Sequence, residues 1–545
     1  MTLFERILTA RGLATRAARE GFLQPDYTVV KHDPFLLPDM KKAVARLKQA
    51  REQGEKIVIY GDYDIDGLSA TALLLDAFGK FGFEDFDAFI PNRFVEGYGM
   101  TMGAVDKVRD MGADLIVTVD TGSLCHAEIA YAASLGIDTV VTDHHNVAET
   151  PPPSVAAVNP KFSGHSYPFR DLCGAGVAFK LVQALQTELD GLPDGYEKWL
   201  LDLVALGTVC DIVTLADENR ANVYWGLEVL KKQQRPGLKA LMAVAGIEPE
   251  QVNARHLGFG LGPRMNAAGR LETAQHALDM LTARDGLAAL EASEKLEELN
   301  TKRRSIQDAI FEEACVQAEE LADDRVLVVS SGGWNHGVIG IVASKLVEKY
   351  KKPVFIIGER GEEATGSARS FGDFSAADAV RAADDIIIKG GGHGAAAGVT
   401  LATEKIGDFR RRVNEFYDSL QLTNQERYLL PRADVEIDDF SEIDEELVAN
   451  LAKMEPFGNG NPEPVLKIAR ASVLSMRRMG ADGQHVKLAL RDKNGKVLQM
   501  LAFNAPEEFF REPGDEVAAW FQPAINEWQG VRTVEGRLLH IILLD

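Results

Sequence analysis

Three aspartates follow an apolar run early in the chain. The stretch KIVIYGDYDIDGLSA covers residues 56–70 and places Asp62, Asp64 and Asp66 two positions apart. Carboxylates this close repel one another, which favours a divalent cation with oxygen ligands between them. A solvated acidic turn would explain the same spacing. The three residues alone therefore leave both a metal site and an acidic turn open.

Further acidic and imidazole groups follow later apolar runs. They are Asp120 in VTVDTG, Asp143, His144 and His145 in VTDHHN, and Asp211 at the end of GTVCD. Each residue alone has an ordinary explanation, because aspartate is common as a helix N-cap and histidines occur on surfaces and in cores. Together, carboxylates and imidazoles at successive strand ends form a ligand set that suits two Mn²⁺ or Mg²⁺ ions. Asp120 stands alone at its strand end, where it could bridge both ions.

The motifs GDYDIDG, VDTG, DHH and GTVCD resemble those of the DHH phosphoesterase superfamily. The resemblance implies two divalent metal ions bound by five residues: Asp64, Asp66, Asp120, His144 and Asp211. It places His145 and Asp143 among these ligands or directly behind them. It leaves two roles for Asp62, as a further ligand or as a support of the turn that contains Asp64 and Asp66. Related pyrophosphatases carry a histidine four residues before the first ligand aspartate, where this chain has Tyr60. One metal ion is therefore expected to have fewer protein ligands.

A glycine-rich stretch follows the metal motifs. HLGFGLGPRMNAAGRLETA spans His256–Ala274 and is predicted to be a loop that carries Arg264, Asn266 and Arg270. Two arginines near a phosphate-processing centre could clamp nonbridging oxygens, and ordinary salt bridges within a loop are the alternative. We expect Arg264 and Asn266 to act in catalysis together with His145, which would orient or protonate a reacting group. Arg270 is expected to bind substrate.

A second group of polar residues lies between 325 and about 405. It comprises Asn335-His336-Gly337, Ser367-Ala368-Arg369 and GGGHGAAAGVT (Gly390–Thr400), in which His393 stands among glycines that let backbone amides approach a polyanion. Together these stretches resemble the DHHA1 domain that accompanies DHH domains in nucleases. The resemblance implies substrate contacts from Asn335, His336, Ser367, Arg369 and His393. A pocket for a 5′ phosphate would use Arg93, Ser367 and Arg369.

Alternating strands and helices must position the metal-binding motifs. Apolar strands are predicted in five places: Ile57–Tyr60, Ala88–Ile90, Leu115–Val119, Thr139–Thr142 and Ala156–Val158. Helical periods between them indicate a mostly parallel sheet that is covered on both faces. Ligands collect at the carboxyl ends of such strands, which is where the candidate residues fall. The predicted positions of these residues therefore agree with the metal-binding role that their side chains suggest.

The remaining chain predicts a long helix, a second α/β domain and a barrel. The helical region runs roughly from Thr273 to Ala322, with one break at Asp285-Gly286. Five strand candidates after the turn-rich PFGNGNPEP predict an OB-like β-barrel: Val465–Met476, His485–Leu490, Val497–Phe503, Glu516–Phe521 and Gly530–Leu543. The acidic run Asp434–Glu446 is expected to be a solvated approach to a helix. The predicted segments are an N-terminal helical apron (1–55), the DHH domain (56–272), the connecting helix (273–322), the DHHA1 domain (323–427) and an acidic helix with the barrel (428–545).

Basic and aromatic side chains are spread along the predicted barrel. The basic residues are Lys467, Arg470, Arg477, Arg478, Lys487, Arg491, Lys493 and Lys496, and the aromatic ones are Phe503, Trp520 and Trp528. Cations beside aromatic rings are typical of proteins that bind single-stranded nucleic acid. A barrel whose aromatics are core residues and whose lysines only add solubility is the alternative. The barrel therefore predicts binding of single-stranded nucleic acid.

The order DHH, long helix, DHHA1 and barrel resembles the nuclease branch of the superfamily over nearly the whole chain. This implies a metal-dependent, single-stranded-DNA-specific 5′-to-3′ exonuclease of DNA repair and recombination that releases 5′-mononucleotides. A DHH phosphodiesterase of short oligonucleotides or cyclic dinucleotides would share the ligands but normally lacks the long helix and the barrel. A noncatalytic replication scaffold of the same fold would be expected to lose metal ligands, which this chain keeps.

Chain length, net charge and cysteine content limit the classes of protein to which this sequence can belong. A chain of 545 residues is too long for one core and predicts about three or four domains. The net charge of −23 excludes a protein that coats nucleic acid over its whole surface, but it permits a local basic groove or bound metal ions. Four cysteines without a CxxC pair indicate neither a zinc site nor a disulfide framework. Without a membrane-length apolar run or a signal-peptide pattern, we expect a cytoplasmic protein whose partners are single-stranded DNA, single-strand-binding protein and a helicase.

Overall fold

A computed structural model describes residues 1–92, 95–97 and 99–544 of the chain. These residues form two compact units, one made of Met1–Glu297 with the chain from Pro431 onward, the other of Glu298–Leu430. Arg93, predicted to contact the 5′ phosphate, lies outside the described residues. Within the described ranges, no helix is both long enough and apolar enough to cross a membrane.

A fully parallel sheet organises the first unit. Its strands are β1 (Ile57–Gly61), β2 (Phe86–Phe89), β3 (Leu115–Val119), β4 (Asp138–Thr142) and β5 (Ala156–Val158). They lie in the order β2-β1-β3-β4-β5, and every neighbouring pair is parallel. All residues of β1 and β3 are buried, as expected for central strands with helices on both faces. The predicted parallel sheet is confirmed.

Thirteen α-helices of the described chain precede the long helix. They are α1 (Leu3–Ala10), α2 (Arg16–Leu23), α3 (Tyr27–Val30), α4 (Met40–Gln53), α5 (Ile65–Phe81), α6 (Met102–Asp110), α7 (His126–Ser134), α8 (Gly174–Leu185), α9 (Leu201–Cys210), α10 (Asp217–Lys231), α11 (Pro236–Val244), α12 (Gly262–Leu271) and α13 (Gln275–Thr282). The helices α5, α8 and α9 pack on one another. Every residue of α8 is buried. This helical layer therefore holds the N-termini of α5 and α8 firmly in place.

The loop predicted for His256–Ala274 is wrong. The chain there forms a π-helical turn, His256–Leu261, and continues directly into α12. Glycine and proline lower helix propensity, so the sequence favoured a loop. In the structure they permit close packing, because a Cβ at Gly262 would lie 3.0 Å from the Cys210 Sγ atom. Proline is also tolerated in the first turn of a helix, where its missing N–H has no partner to lose.

The second unit is a separate α/β domain reached through α14. This helix spans Gly286–Glu320, which corresponds to a length on the order of 50 Å, and it confirms the predicted break at Asp285-Gly286. The elements that follow are β6 (Leu327–Gly332), α15 (Ile339–Tyr350), β7 (Val354–Arg360), β8 (Glu363–Arg369), α16 (Ala376–Arg381), β9 (Lys389–Gly392), β10 (Ala396–Ala402) and α17 (Ile406–Ser419). The sheet order is β6-β7-β8-β10-β9, with only β6 and β7 parallel among the described pairs.

The C-terminal part is a closed barrel. Its elements are β11 (Val435–Ile437), α18 (Glu445–Ala452), β12 (Leu466–Met479), β13 (His485–Arg491), β14 (Val497–Ala502), β15 (Glu516–Trp528) and β16 (Val531–Leu543). Strand β12 pairs with both β13 and β15, which closes the five-stranded circuit. The predicted OB-like barrel is confirmed. The acidic run was only partly predicted, because Ile437 is buried and β11 pairs with β12 before α18 begins.

The N-terminal segment divides its contacts between two parts of the first unit. Leu3, Ile7 and Leu8 of α1 are buried in the core of the barrel, alongside Phe440 and Leu451. Helix α4 packs instead on β5 and α8. The residues predicted as an apron to the DHH domain therefore also complete the barrel.

Candidate metal centre

The loop after β1 is fixed by the N-terminus of α5. Asp64 is the N-cap residue, and its Oδ1 accepts hydrogen bonds from the backbone N–H groups of Asp66 (2.9 Å) and Gly67 (3.1 Å). A Cβ at position 67 would lie 2.5 Å from the Asp62 carbonyl oxygen. Glycine is therefore required at position 67, because it lets the loop fold tightly against the helix.

Asp66 is held by the N-terminus of α8. The side chain is buried, and its two oxygens accept hydrogen bonds from the Gly174 N–H (2.5 Å) and the Ala175 N–H (2.9 Å). The positive end of a helix dipole stabilises a carboxylate in this position. A Cβ at Gly207 would lie 2.4 Å from Asp66 Oδ1. From the sequence, Gly174 had no predicted role, and Gly207 was named only as the first residue of the GTVCD motif.

One side-chain atom of Asp120 and one of His144 are buried and lie in contact with each other. Asp120 adopts a left-handed backbone conformation, with φ of 61°. Its Oδ1 lies 3.1 Å from His144 Nε2, and neither atom has a hydrogen-bond partner among the described residues. An unprotonated imidazole nitrogen facing a carboxylate is unfavourable unless a positive charge joins them. The two atoms therefore fit a metal ion.

Seven predicted residues come together around these two atoms. Three groups each have ligand atoms within 4.8 Å of one another: Asp120 with His144 and His145, Asp66 with His144 and Asp211, and Asp62 with Asp64 and Asp120. Asp120 belongs to two groups, as expected of a carboxylate that can bridge two metal ions. His144 also belongs to two groups, but the single lone pair of its Nε2 atom can serve only one ion. Asp62, predicted as a possible ligand, lies with Asp64 and Asp120 rather than apart from them.

Burial and mutual repulsion raise the pKa of the clustered carboxyl groups. Burial raises the pKa of Asp62 to about 7, of Asp66 to about 6 and of Asp211 to about 8, and the charge of a neighbouring aspartate adds to each shift. The pKa of Asp120 is raised well above its ordinary value for the same reasons. Without a cation, the cluster therefore holds protons near neutral pH. A divalent cation would replace these protons and stabilise the ionised carboxylates.

The two histidines of the DHH motif have opposite environments. Burial lowers the pKa of His144 to about 4, so its imidazole is neutral and can offer a lone pair. A hydrogen bond to Asp143 raises the pKa of His145 to about 9. Asp143 Oδ1 lies 2.9 Å from His145 Nδ1, and Asp143 Oδ2 accepts from the Ser123 N–H. His144 is thus suited to bind metal, and His145 is suited to carry a proton.

Two neighbouring residues are engaged within the protein. Tyr60 is fully buried, and its hydroxyl donates to the Gly99 carbonyl at 3.0 Å, so this position does not supply an imidazole-like ligand. Arg264 on α12 forms an ion pair with Glu297 and donates to the Gly260 carbonyl. Its predicted contact with a substrate oxygen, and those of Asn266 and Arg270 on the same helix, stay predictions. The C-terminal half of α12 lies beside the metal loop, since a Cβ at Gly269 would be 3.5 Å from the Tyr63 carbonyl oxygen.

In the second unit, two of the predicted substrate residues, Ser367 and Arg369, lie on β8 beside the start of α15. The Arg369 guanidinium donates to the Ala368 carbonyl and lies 3.4 Å from the Ser367 hydroxyl. Burial lowers the pKa of Arg369, and no charged neighbour in the part of the chain that the structure describes offsets this shift. A Cβ at Gly340, in the first turn of α15, would be 3.0 Å from Ser367 Oγ. A half-buried cation beside a helix N-terminus is a suitable environment for an anion.

Three more predicted substrate residues belong to this domain. Asn335 begins the turn before α15, where its Oδ1 accepts from the Gly337 N–H. His336 lies against β7, because a Cβ at Gly358 would be 3.2 Å from His336 Nε2. His393 is exposed in the turn between β9 and β10, three residues before Ala396, which pairs with Arg369. His336 thus lies near the Gly358 end of β7, and His393 follows the opposite end, where Arg369 pairs with Val354, so the substrate contacts predicted for Asn335, His336 and His393 stay predictions.

Aromatic side chains of the barrel differ in exposure. Phe503 is 65% exposed and Trp528 is 71% exposed, so these two rings are not core residues. Trp520 is half-buried, with the Lys467 Nζ atom 5.0 Å from its ring and the His540 ring 5.3 Å away. Exposed rings near cations can stack with bases.

Three family models cover most of the chain in the predicted order. Residues 56–208 match the DHH family N-terminal domain, residues 323–419 the DHHA1 domain and residues 433–540 the RecJ OB domain. The chain is 34% identical to the single-stranded-DNA-specific exonuclease RecJ of Salmonella typhimurium, over 98% of this chain and 94% of that protein. The chain belongs to the RecJ family. The RecJ of Bacillus subtilis is 38% identical over 96% of this chain, which spans 66% of that protein.

Solved RecJ structures share this fold. A RecJ from Thermus thermophilus in complex with Mn²⁺ matches with a TM-score of 0.82 and 30% identity, over 99% of this chain and 76% of that chain. An exonuclease RecJ bound to manganese matches with a TM-score of 0.63 and 34% identity, over 72% of this chain and 97% of that chain. The architecture of two α/β domains and an OB-like barrel is thus that of the RecJ family.

Proposed function

We propose that this chain is a metal-dependent exonuclease that degrades single-stranded DNA from its 5′ end to 5′-mononucleotides. The observation that carries the proposal is the contact between Asp120 Oδ1 and His144 Nε2, two buried atoms that lack hydrogen bonds within the described chain and lie at the centre of five aspartates. RecJ relatives are named single-stranded-DNA-specific exonucleases, and related structures hold Mn²⁺ or Mg²⁺. Chemistry and family therefore agree.

The residues of the metal centre have two proposed roles: most would bind the cations, and His145 would transfer a proton. Asp64, Asp66, Asp120, His144 and Asp211 would hold two Mn²⁺ or Mg²⁺ ions, with Asp62 as a further ligand. Such ions lower the pKa of water and neutralise charge on the phosphate. His145 is protonated at neutral pH because Asp143 stabilises its charge, so it can donate a proton to the departing 3′ oxygen. Asp143 also keeps the His145 ring oriented.

The second unit and the barrel would select the substrate. We propose that Arg369 and Ser367 bind the 5′ phosphate, because Arg369 is a half-buried cation whose pKa is lowered by burial with no charged neighbour offsetting that shift among the described residues. The family resemblance adds Arg93 to the proposed phosphate-binding residues. Further substrate contacts are proposed for Asn335, His336 and His393 of the second unit, and for Arg264, Asn266 and Arg270, which lie on α12. The exposed rings of the barrel would stack with bases of the trailing strand.

The proposed setting is DNA repair and recombination in the cytoplasm. Single-strand-binding protein and a helicase would supply and protect the single strands that this enzyme consumes, and both belong to the proposal as partners. Neither is needed for the chemistry itself, because the metal centre lies within a single chain.

A time course on labelled strands tests the proposed function. The full chain is incubated with Mn²⁺ or Mg²⁺ and with long single strands that carry a label at the 5′ or the 3′ end, beside a matched duplex and a dinucleotide. We expect a labelled mononucleotide from 5′-labelled strands at the earliest times and progressive shortening of 3′-labelled strands, with the duplex resistant. Consumption of the dinucleotide alone would instead identify a short-oligonucleotide phosphodiesterase.

Aspartate variants show whether the activity belongs to this centre. Asp120→Ala and Asp211→Ala should lose measurable hydrolysis, because each removes a ligand from the cluster. Asp110→Ala is the matched control, since this aspartate is 70% exposed on α6 and is paired with Arg109 on the surface. Full activity in either ligand variant would refute the metal assignment.

A further inference from the structure

The motif PFGNGNPEP connects α18 to the barrel, and the proposed function gives it no role. Its turn is closed by two backbone hydrogen bonds between Gly458 and Asn461, of 2.9 Å and 3.1 Å. Asn461 is buried, donates to the Met454 and Pro456 carbonyls, and accepts from Arg11. The turn is therefore a rigid part of the barrel domain.

This turn is docked on the segment that directly follows the metal ligand Asp211. The Asn459 side chain donates to the Ile212 carbonyl at 2.8 Å, and the Asn459 carbonyl accepts from the Leu215 N–H at 2.8 Å. The glycines on both sides of Asn459 allow this close approach, and Gly460 also has a left-handed φ of 76°. A Cβ at Gly458 would lie 2.7 Å from Leu215 Cδ1, and one at Gly460 would lie 2.6 Å from Thr214 Cγ2.

Ile212 is held in a conformation that its side chain disfavours. Its φ is 59°, in the left-handed region, which is unusual for a β-branched residue. The side chain is 69% exposed, so burial of its own atoms does not compensate the strain. A strained residue persists only where its surroundings fix it. The bond from Asn459 supplies such a restraint, and Asn219 fixes the far end of the segment by donating to the Thr214 carbonyl.

We propose that Asn459 is a positioning residue of the metal centre. By holding the Ile212 carbonyl, it keeps the segment after α9 in the left-handed turn that places Asp211 Oδ2 3.5 Å from His144 Nε2. The barrel domain thereby acts on a metal ligand through one side chain. The inference rests on the proposed metal centre, and it adds a residue that lies outside the ligand set and is distant from Asp211 in sequence.

Mn²⁺ binding to the full chain tests the proposal without relying on activity. Electron paramagnetic resonance titration of free Mn²⁺ gives the affinity, and anisotropy of a labelled single strand in EDTA gives DNA affinity. Asn459→Ala should weaken Mn²⁺ binding by about three- to tenfold, the equivalent of one hydrogen bond, and should leave DNA affinity unchanged. Asn494→Ala is the matched control, because it removes one exposed side-chain hydrogen bond, to Asp439, from the same domain. It should leave both affinities unchanged.

Repeating the Asn459→Ala substitution in an Ile212→Asn background distinguishes a loss of Asp211 positioning from a general loss of structure. Asparagine adopts the left-handed conformation far more readily than isoleucine, so in an Ile212→Asn background the segment should need less help. Asn459→Ala should then weaken Mn²⁺ binding by less than about twofold. An equal loss in both backgrounds, no loss in either, or the same loss in Asn494→Ala would overturn the inference. Failure of the unaltered chain to bind Mn²⁺ would instead refute the metal centre itself.

Discussion

Replacement of Gly174 by alanine should damage the metal centre while leaving the fold intact. A Cβ at this position would lie 2.5 Å from Asp120 Cβ, 2.6 Å from its Oδ1 and 2.7 Å from its Cγ. Carbon atoms in contact are about 3.5 Å apart, so Asp120 or the start of α8 must move by about 1 Å. A displacement of that size at a catalytic group can cost about 100-fold in rate. The same helix start also holds Asp66, so both ligands shift together.

Stability should respond differently from activity in this variant. Alanine is favoured over glycine in a helix by up to about 1 kcal/mol, which offsets part of the strain. We expect kcat/KM on a 5′-phosphorylated single strand to fall about 100-fold and Mn²⁺ affinity to fall with it, while Tm changes by a few degrees at most. Gly176→Ala is the matched control, because its Cβ would meet Leu172 and Cys173 at ordinary distances of 3.5 and 3.6 Å. Normal activity in Gly174→Ala, or an equal loss in Gly176→Ala, would refute the steric argument.

Three other predictions concern substrate binding and pH. Combined Phe503→Ala and Trp528→Ala should weaken single-strand affinity about tenfold or more with kcat kept at saturation, as measured by anisotropy and steady-state kinetics; unchanged affinity would contradict stacking. Arg369→Glu should slow cleavage of 5′-phosphorylated strands much more than of 5′-hydroxyl strands, and an equal loss on both would argue against the phosphate site. Mn²⁺ affinity should rise from about pH 6 to about pH 8, because the raised pKa values of Asp62, Asp66 and Asp211 mean that metal binding releases protons. Calorimetry in two buffers of different ionisation enthalpy should detect the released protons. An affinity that does not change with pH would contradict this prediction.

The sequence predicted the strand ends of the metal site well because two independent patterns coincided there. The apolar run before Asp62 marks a buried strand, and β1 ends at Gly61 as expected from that run. The same reasoning located Asp120 after β3 and the DHH motif after β4. Since all strands of this sheet are parallel, their carboxyl ends had to meet.

The residues that hold the metal-binding side chains in place could not be predicted from the sequence. Gly174 and Gly207 lie in helices, where a glycine pattern gives no sign that a carboxylate from another element lies close by. Likewise, α12 contains enough glycine to read as a loop, and its packing against Cys210 explains why it is helical. Asn459 acts over a long sequence separation on Ile212. Such contacts depend on tertiary distances that composition and periodicity do not encode.

The first helix of the chain is completed by its C-terminal barrel. Leu3 and Ile7 are buried against the barrel core, the Leu3 N–H donates to Glu442, and Arg11 forms an ion pair with Asp434. During synthesis, α1 must therefore remain without its partner until the barrel emerges, which is a contact of very high sequence separation. Any fragment that ends before the barrel leaves an apolar helix uncovered, and an isolated barrel lacks part of its core. Fragment studies of this protein should supply residues 1–23 together with the barrel.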